Sequence, residues 1–138
     1  MSDARALYHA TIVDRDRNPR HEHALPAATH RATADNPLCG DVVTMRFVIA
    51  DGVITEAAFA ARGCALSRAA ADLLATRAIG STPVQLRSLA ETFDRFVRAD
   101  GTQEDLGELA VFEGVRAFKS RRACACLPFA AALSALDQ

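Results

Sequence analysis

From Asp41 to Ala50 the chain alternates, with Val43, Met45, Phe47 and Ile49 on one side and Val42, Thr44, Arg46 and Val48 on the other. A period of two is that of a strand with one buried face. Asp51-Gly52 follows, a dipeptide suited to a type I′ turn. Val53 to about Ala61 then reads as the returning strand, so the pattern predicts a hairpin. Thr29 to Ala34 reads as a short edge strand beside it.

After Gly63 the period changes. In the run from Cys64 to Ile79, Leu66, Ala70, Leu73 and Leu74 recur at helical spacing, and Gly80 is placed to stop the helix. Thr82-Pro83-Val84-Gln85 reads as a capping box with Pro at the first helical position, which predicts a helix from Pro83 to about Arg98. Upstream, Arg5 to Asp14 reads as a short helix with Ser2 as N-cap, ending before Asn18-Pro19, and His21 to Thr29 reads as loop. Downstream, Ala99 to Asp105 is polar and loop-like, and Leu106 to Phe118 predicts one or two short helical turns. Cys126 to Leu136 predicts a terminal helix with Pro128 in its first turn, where a missing N–H costs least. These elements, free of repeats and linkers, predict one α+β domain over residues 1–138, with a small antiparallel three-stranded sheet beside several helices.

Charge narrows the function classes. Acidic and basic residues nearly cancel, 17 against 16, with no block of five like charges, which gives no support for nucleic-acid binding or an electrostatic membrane anchor. The start MSDARALYHA lacks an apolar signal core, and no apolar run approaches the ~20 residues of a spanning helix. A cytoplasmic protein without a membrane partner is expected. In that compartment thiols stay reduced, so the four cysteines point to metal binding or thiol chemistry rather than to disulfides.

Cys39 lies in the loop Pro37-Leu38-Cys39-Gly40-Asp41, Cys64 follows Gly63 at a strand-to-helix junction, and Cys124 is expected just ahead of the last helix. A helix start stabilises thiolate through its N–H groups and dipole, and thiolate is the form that binds metal and attacks sulfur. Gly40 lets the backbone curl so that Cys39 and Asp41 can face one point. Cys39, Asp41, Cys64 and Cys124 would make a Cys3Asp set suited to tetrahedral zinc, while thiolates also suit iron–sulfur clusters. Gaps of ~25 and ~60 residues match no short-range zinc template, so three independently packed cysteines stay open as the alternative. Cys126 reads as a packed small hydrophobe, with a spare ligand or a resolving thiol as its other readings. His9, His21, His23 and His30 all precede Cys39, and His21 and His23 read as solvated loop residues rather than chelators.

Three stretches carry a resemblance: Asn36-Pro37-Leu38-Cys39-Gly40-Asp41, Gly63-Cys64-Ala65-Leu66-Ser67 and Arg121-Arg122-Ala123-Cys124-Ala125-Cys126-Leu127. They resemble the cysteine motifs of the U-type iron–sulfur cluster assembly family, which includes IscU, SufU and the N-terminal part of NifU. Tyr8, Ile12, Asp14 and Asn18-Pro19-Arg20 look like that family's opening helix and turn. The sequence looks more like the SufU branch, because Gly80 to Phe118 resembles that branch's extra helical segment. Ala123 stands where IscU proteins carry His, and Arg121 matches a SufU-type arginine.

The resemblance implies a SufE/IscU-like fold and zinc held at rest by Cys39, Asp41, Cys64 and Cys124. It implies a SufS-like cysteine desulfurase as partner, which frees Cys39 to accept persulfide sulfur for downstream cluster assembly proteins, with Arg121 steadying the site. The alternative it implies is a scaffold that binds iron and builds a transferable [2Fe-2S] cluster on Cys39, Cys64 and Cys124. The relay would be sulfurtransferase-like and the scaffold non-enzymatic, and both stay open. A third reading, purely structural zinc, would have the protein unfold on chelation. Two positions depart from the SufU pattern: Ala123 replaces a frequent Lys, and Cys126 replaces a small hydroxyl residue.

Overall fold

Asp51 and Gly52 both take positive φ, 53° and 77°, as a type I′ turn requires, and they join β2 (Asp41–Ala50) to β3 (Val53–Arg62). The computed structural model describes residues 9–98 and 105–138. β1 (His30–Asn36) pairs with the other edge of β2, giving an antiparallel sheet in the order β1-β2-β3. Met45 lies between Ala32 and Phe59, and Val43 between Ala34 and Ala61. Val43, Met45, Phe47 and Phe59 are fully buried on that face. Ile49, beyond a register shift at Val48/Ile49, is only half-buried.

The buried face is covered by α2 (Ala65–Ala78) over β3 and α4 (Lys119–Leu136) over β1 and β2. Leu66, Ala70, Leu73 and Leu74 of α2 are buried as the spacing predicts, and Gly80 follows the helix at φ 89°. α3 (Pro83–Val97) opens with the expected capping box: Gln85 N–H donates to Thr82 Oγ1 at 3.2 Å and Thr82 N–H to Gln85 Oε1 at 2.9 Å. The expected short turns form a 3-10 helix, Gly107–Ala117. Phe93 of α3 stacks on Phe129 of α4 with centroids 4.4 Å apart, and meets Phe112 of the 3-10 helix edge-on at 5.7 Å. Six residues of the predicted loop after α3, 99–104, lie outside the described residues.

At the other end, α1 spans Ala10–Arg17, capped by the His9 ring on Thr11 N–H, and stops before Asn18-Pro19. It reaches beyond the expected end at Asp14, while Ser2 and the expected start at Arg5 lie outside the described residues. Arg15 of α1 reaches the fully buried Asp72 of α2 at 2.7 Å, and Asp72 also accepts the backbone N–H groups of Arg20 and His21 at 2.8 and 2.9 Å. A buried charge is tolerated where its lone pairs are occupied in this way.

α4 departs from expectation, beginning at Lys119 rather than Cys126, so that Pro128 sits well inside it. The local rule favours Pro in a first turn. Here Ala125, Leu127, Phe129, Ala131 and Ala132, all buried, keep the helix packed on the sheet across the proline. Cys124 therefore lies inside α4 rather than ahead of it.

The outer edge of β3 is occupied. Phe59 N–H donates to His21 O at 2.9 Å, Ile54 N–H to Ser81 O at 2.8 Å, and Gly80 N–H to Ile54 O at 2.7 Å. On the far edge, the Gln138 side chain bonds both backbone groups of Arg31 in β1.

Candidate metal and thiol site

The loop between β1 and β2 is folded around Asn36. Its carbonyl accepts the N–H groups of Cys39 and Gly40 at 3.2 and 2.8 Å, and its side chain accepts Leu38 N–H at 3.2 Å. Gly40, at φ 75°, closes the turn. Cys39 is thereby held at an exposed tip, while Asp41, the first residue of β2, turns inward and is 2% exposed. Cys124 enters from α4, 1% exposed, with its sulfur 3.7 Å from that of Cys39. Donor atoms of Cys39, Asp41 and Cys124 all lie within 4.8 Å of one another. Cys64, the N-cap of α2, joins through Asp41, its Sγ 3.5 Å from Oδ2.

Asp41 is pinned at both oxygens. Oδ1 accepts Cys64 N–H at 3.2 Å and Oδ2 accepts the Ser67 hydroxyl at 3.1 Å. Cys64 offers no side-chain cap to α2, so Asp41 supplies from β2 the acceptor that a helix N-terminus needs. The carboxylate fits because position 63 is glycine: at φ 150°, a Cβ there would lie 2.2 Å from Oδ1. Burial alone would raise the Asp41 pKa, but hydrogen bonds from Cys124, Cys39, Cys64 N–H and Ser67 outweigh it and hold the carboxyl below its ordinary value.

Cys124 moves the other way. Burial first, then its hydrogen bond to Asp41 and the neighbouring Cys64 and Cys39, push its thiol well up. The expectation of a thiolate favoured by a helix start thus fails for Cys124, because α4 starts at Lys119. What ionises a coordinating thiol is the cation itself. Zinc–sulfur bonds near 2.3 Å place two tetrahedral thiolates about 3.8 Å apart, close to the Cys39–Cys124 separation of 3.7 Å. Two sulfurs and a carboxylate thus converge on one point, a donor set that suits a borderline-soft cation, while Cys64 stands outside that group and borders it through Asp41.

The NifU-like N terminal domain family matches residues 7–125, a stretch that holds all four of these residues. This chain belongs to the NifU-like N-terminal family. Among its relatives, the iron-sulfur cluster assembly scaffold protein IscU of Streptococcus pyogenes serotype M1 is 29% identical, over 100% of this chain and 87% of the relative. The zinc-dependent sulfurtransferase SufU of Bacillus subtilis is 28% identical, over 91% and 86%. The crystal structure of the SufU protein from Fervidobacterium islandicum AW-1 shares the fold, with a TM-score of 0.90 at 23% identity over 97% of this chain and 99% of that one. The α+β fold expected from the sequence is thus that of the NifU-like N-terminal family.

In this family member Arg121 is half-buried in the first turn of α4, three residues ahead of Cys124, a spacing that puts both on one side of the helix. Cys126 is not brought to the thiols. It is half-buried against α3, where burial and the Asp94 charge push its thiol up to about 11. The described histidines have other partners: His9 caps α1, His21 bonds Thr76, His23 its neighbour's carbonyl and His30 Thr29. Two residues that sequence reasoning left without a role shape the site, Gly63 and Ser67. The spacing of Cys64 and Ser67, one turn apart in α2, hints at a shared face, yet nothing local shows that Asp41 lies there. Among the described residues no helix is long and apolar enough to cross a membrane.

Proposed function

We propose that this protein accepts sulfur on Cys39 from the persulfide of a SufS-like cysteine desulfurase and relays it to iron–sulfur cluster assembly, with zinc held at rest by Cys39, Asp41, Cys64 and Cys124. The observation that carries this reading is the contrast in access: Cys39 stands exposed on a braced loop, while Asp41 and Cys124 beside it are buried. A donor sulfur reaches Cys39 first. Leu38, 97% exposed, offers an apolar contact next to it. Arg121, near Cys124 in α4, adds positive charge that favours thiolate and persulfide anions. Four unpaired cysteines suit the reducing cytoplasm.

The step is a displacement. Cys39 thiolate attacks the terminal sulfur of the donor persulfide, the donor's S–S bond breaks, its cysteine leaves as thiolate, and Cys39 carries the persulfide. Bound zinc would supply charge that keeps the ligating thiols deprotonated. Asp41 contributes a carboxylate fixed at both oxygens, a harder and more exchangeable donor than a fourth thiolate.

The test is metal content before and after adding a cysteine desulfurase with cysteine, with persulfide located by mass spectrometry. Stoichiometric zinc, and persulfide on Cys39 only when the desulfurase is present, is the expected result. Undiminished desulfurase stimulation by a folded Cys39→Ser variant overturns the relay. The scaffold reading is favoured by relatives whose names are those of scaffold proteins. It expects iron and sulfide without zinc, and a [2Fe-2S] cluster that passes to an acceptor after anaerobic reconstitution.

A further inference from the structure

We propose that Ser67 is a positioning residue that aims the Asp41 carboxylate at the thiols, an inference that rests on the reading of Cys39, Asp41, Cys64 and Cys124 as a cation site. Ser67 is fully buried in the first turn of α2. Its hydroxyl oxygen lies 3.1 Å from Asp41 Oδ2, 3.2 Å from the Cys64 carbonyl and 3.7 Å from Cys64 Sγ. A hydroxyl has one proton to give. Of the two acceptors Asp41 Oδ2 lies nearer, and a carboxylate forms a stronger bond with a hydroxyl than a backbone carbonyl does. The proton goes to Oδ2.

With Cys64 N–H on Oδ1, this makes a two-point clamp. The Cys64 thiol also lies 3.5 Å from Oδ2, but thiols that ligate a cation are deprotonated and donate nothing, and Cys64 N–H alone would then let the carboxylate swing about its last torsion, which is broad for Asp. Two donors on separate oxygens fix its plane. An ionised carboxylate offers about four lone-pair sites, so the clamp leaves others for a cation beside Cys39 and Cys124. Gly63 leaves room for the carboxylate in this orientation. Ser67 thus touches no metal, and acts through Asp41 in the way that hydrogen bonds to ligating side chains tune a metal site.

Ser67→Ala removes one arm of the clamp without adding bulk or disfavouring the helix. Zinc affinity, measured by competition with a chromophoric chelator, should fall roughly 10- to 100-fold, and the visible absorption of the cobalt-substituted protein should shift in position and intensity. Ser67→Thr, which keeps the hydroxyl, should restore both. In an Asp41→Asn background Ser67→Ala should change little further, because the two act as one unit. A purely structural serine would lower the thermal midpoint of the metal-free protein and leave affinity and the cobalt spectrum unchanged. Unchanged affinity in a folded Ser67→Ala protein, or an equal loss in the Asp41→Asn background, overturns the inference. Failure of the wild-type protein to hold zinc or cobalt overturns the site reading itself, and is seen before any variant is made.

Discussion

Where a side chain at position 63 would meet Asp41 Oδ1 at 2.2 Å, alanine must displace the carboxylate or strain the backbone. Gly63→Ala should cost ~1–3 kcal/mol in urea unfolding and weaken zinc binding together with it. An unfolding midpoint equal to the wild type's would show that the carboxylate moves aside freely. His21 gives a second residue-scale test. Burial, partly offset by the Asp72 charge, holds its pKa below the ordinary value. Between that lowered value and about 6.5 the unfolded chain binds more protons than the folded one. The stabilisation is therefore complete above about pH 6.5 and is lost as pH falls through the folded pKa. Urea midpoints should drop toward acid in the wild type and less steeply in His21→Gln, and equal slopes would remove His21 from the account. Cys39, Asp41, Cys64 and Cys124 stand out in the sequence as candidates because each lies in a recognisable short motif, and the fold brings donor atoms of Cys39, Asp41 and Cys124 within 4.8 Å of one another. Gly63 and Ser67 were not assigned roles, since both answer to Asp41 on another strand.

The elements that follow local rules were readable one by one. Asp51-Gly52 dictated the hairpin through φ, and Thr82 with Gln85 dictated the start of α3 through a reciprocal pair of bonds. Thr82→Ala should accordingly cost about 1 kcal/mol, visible as a lower urea midpoint, and a neutral result would mean that packing alone sets that boundary. Helix α4 shows where local rules lose. Pro128 lacks the N–H that would meet the Cys124 carbonyl, and on local chemistry alone a helix start at Cys126 follows from it. Burial of the residues around it on the sheet outweighed the missing bond. The error propagated to chemistry, because a thiol inside a helix lacks the free N–H groups that a terminal one enjoys. Cys64, correctly read as a helix-start residue, is the N-cap of α2.

Across the whole molecule, donors from the β1–β2 loop, the start of β2 and the body of α4 meet only in the folded chain. A cation binding that state alone stabilises it by about 2.7 kcal/mol when free metal is 100 times its dissociation constant. The thermal midpoint should rise with zinc in the wild type and hardly move in Asp41→Ala. The core of Phe47, Phe59, Phe93, Phe96 and Phe112 needs no ligand, so chelator-treated protein should keep its helical circular dichroism and unfold cooperatively. Collapse on chelation would instead favour zinc as a purely structural element.

The occupied edge of β3 bears on recognition. Many proteins capture an extended peptide by letting it join a free strand edge. With His21, Gly80 and Ser81 already bonded along β3, that mode is closed on the side of the sheet next to the hairpin's second strand. A partner approaching from there must read side chains rather than backbone, so its choice of this protein rests on surface shape and charge that individual substitutions can rewrite.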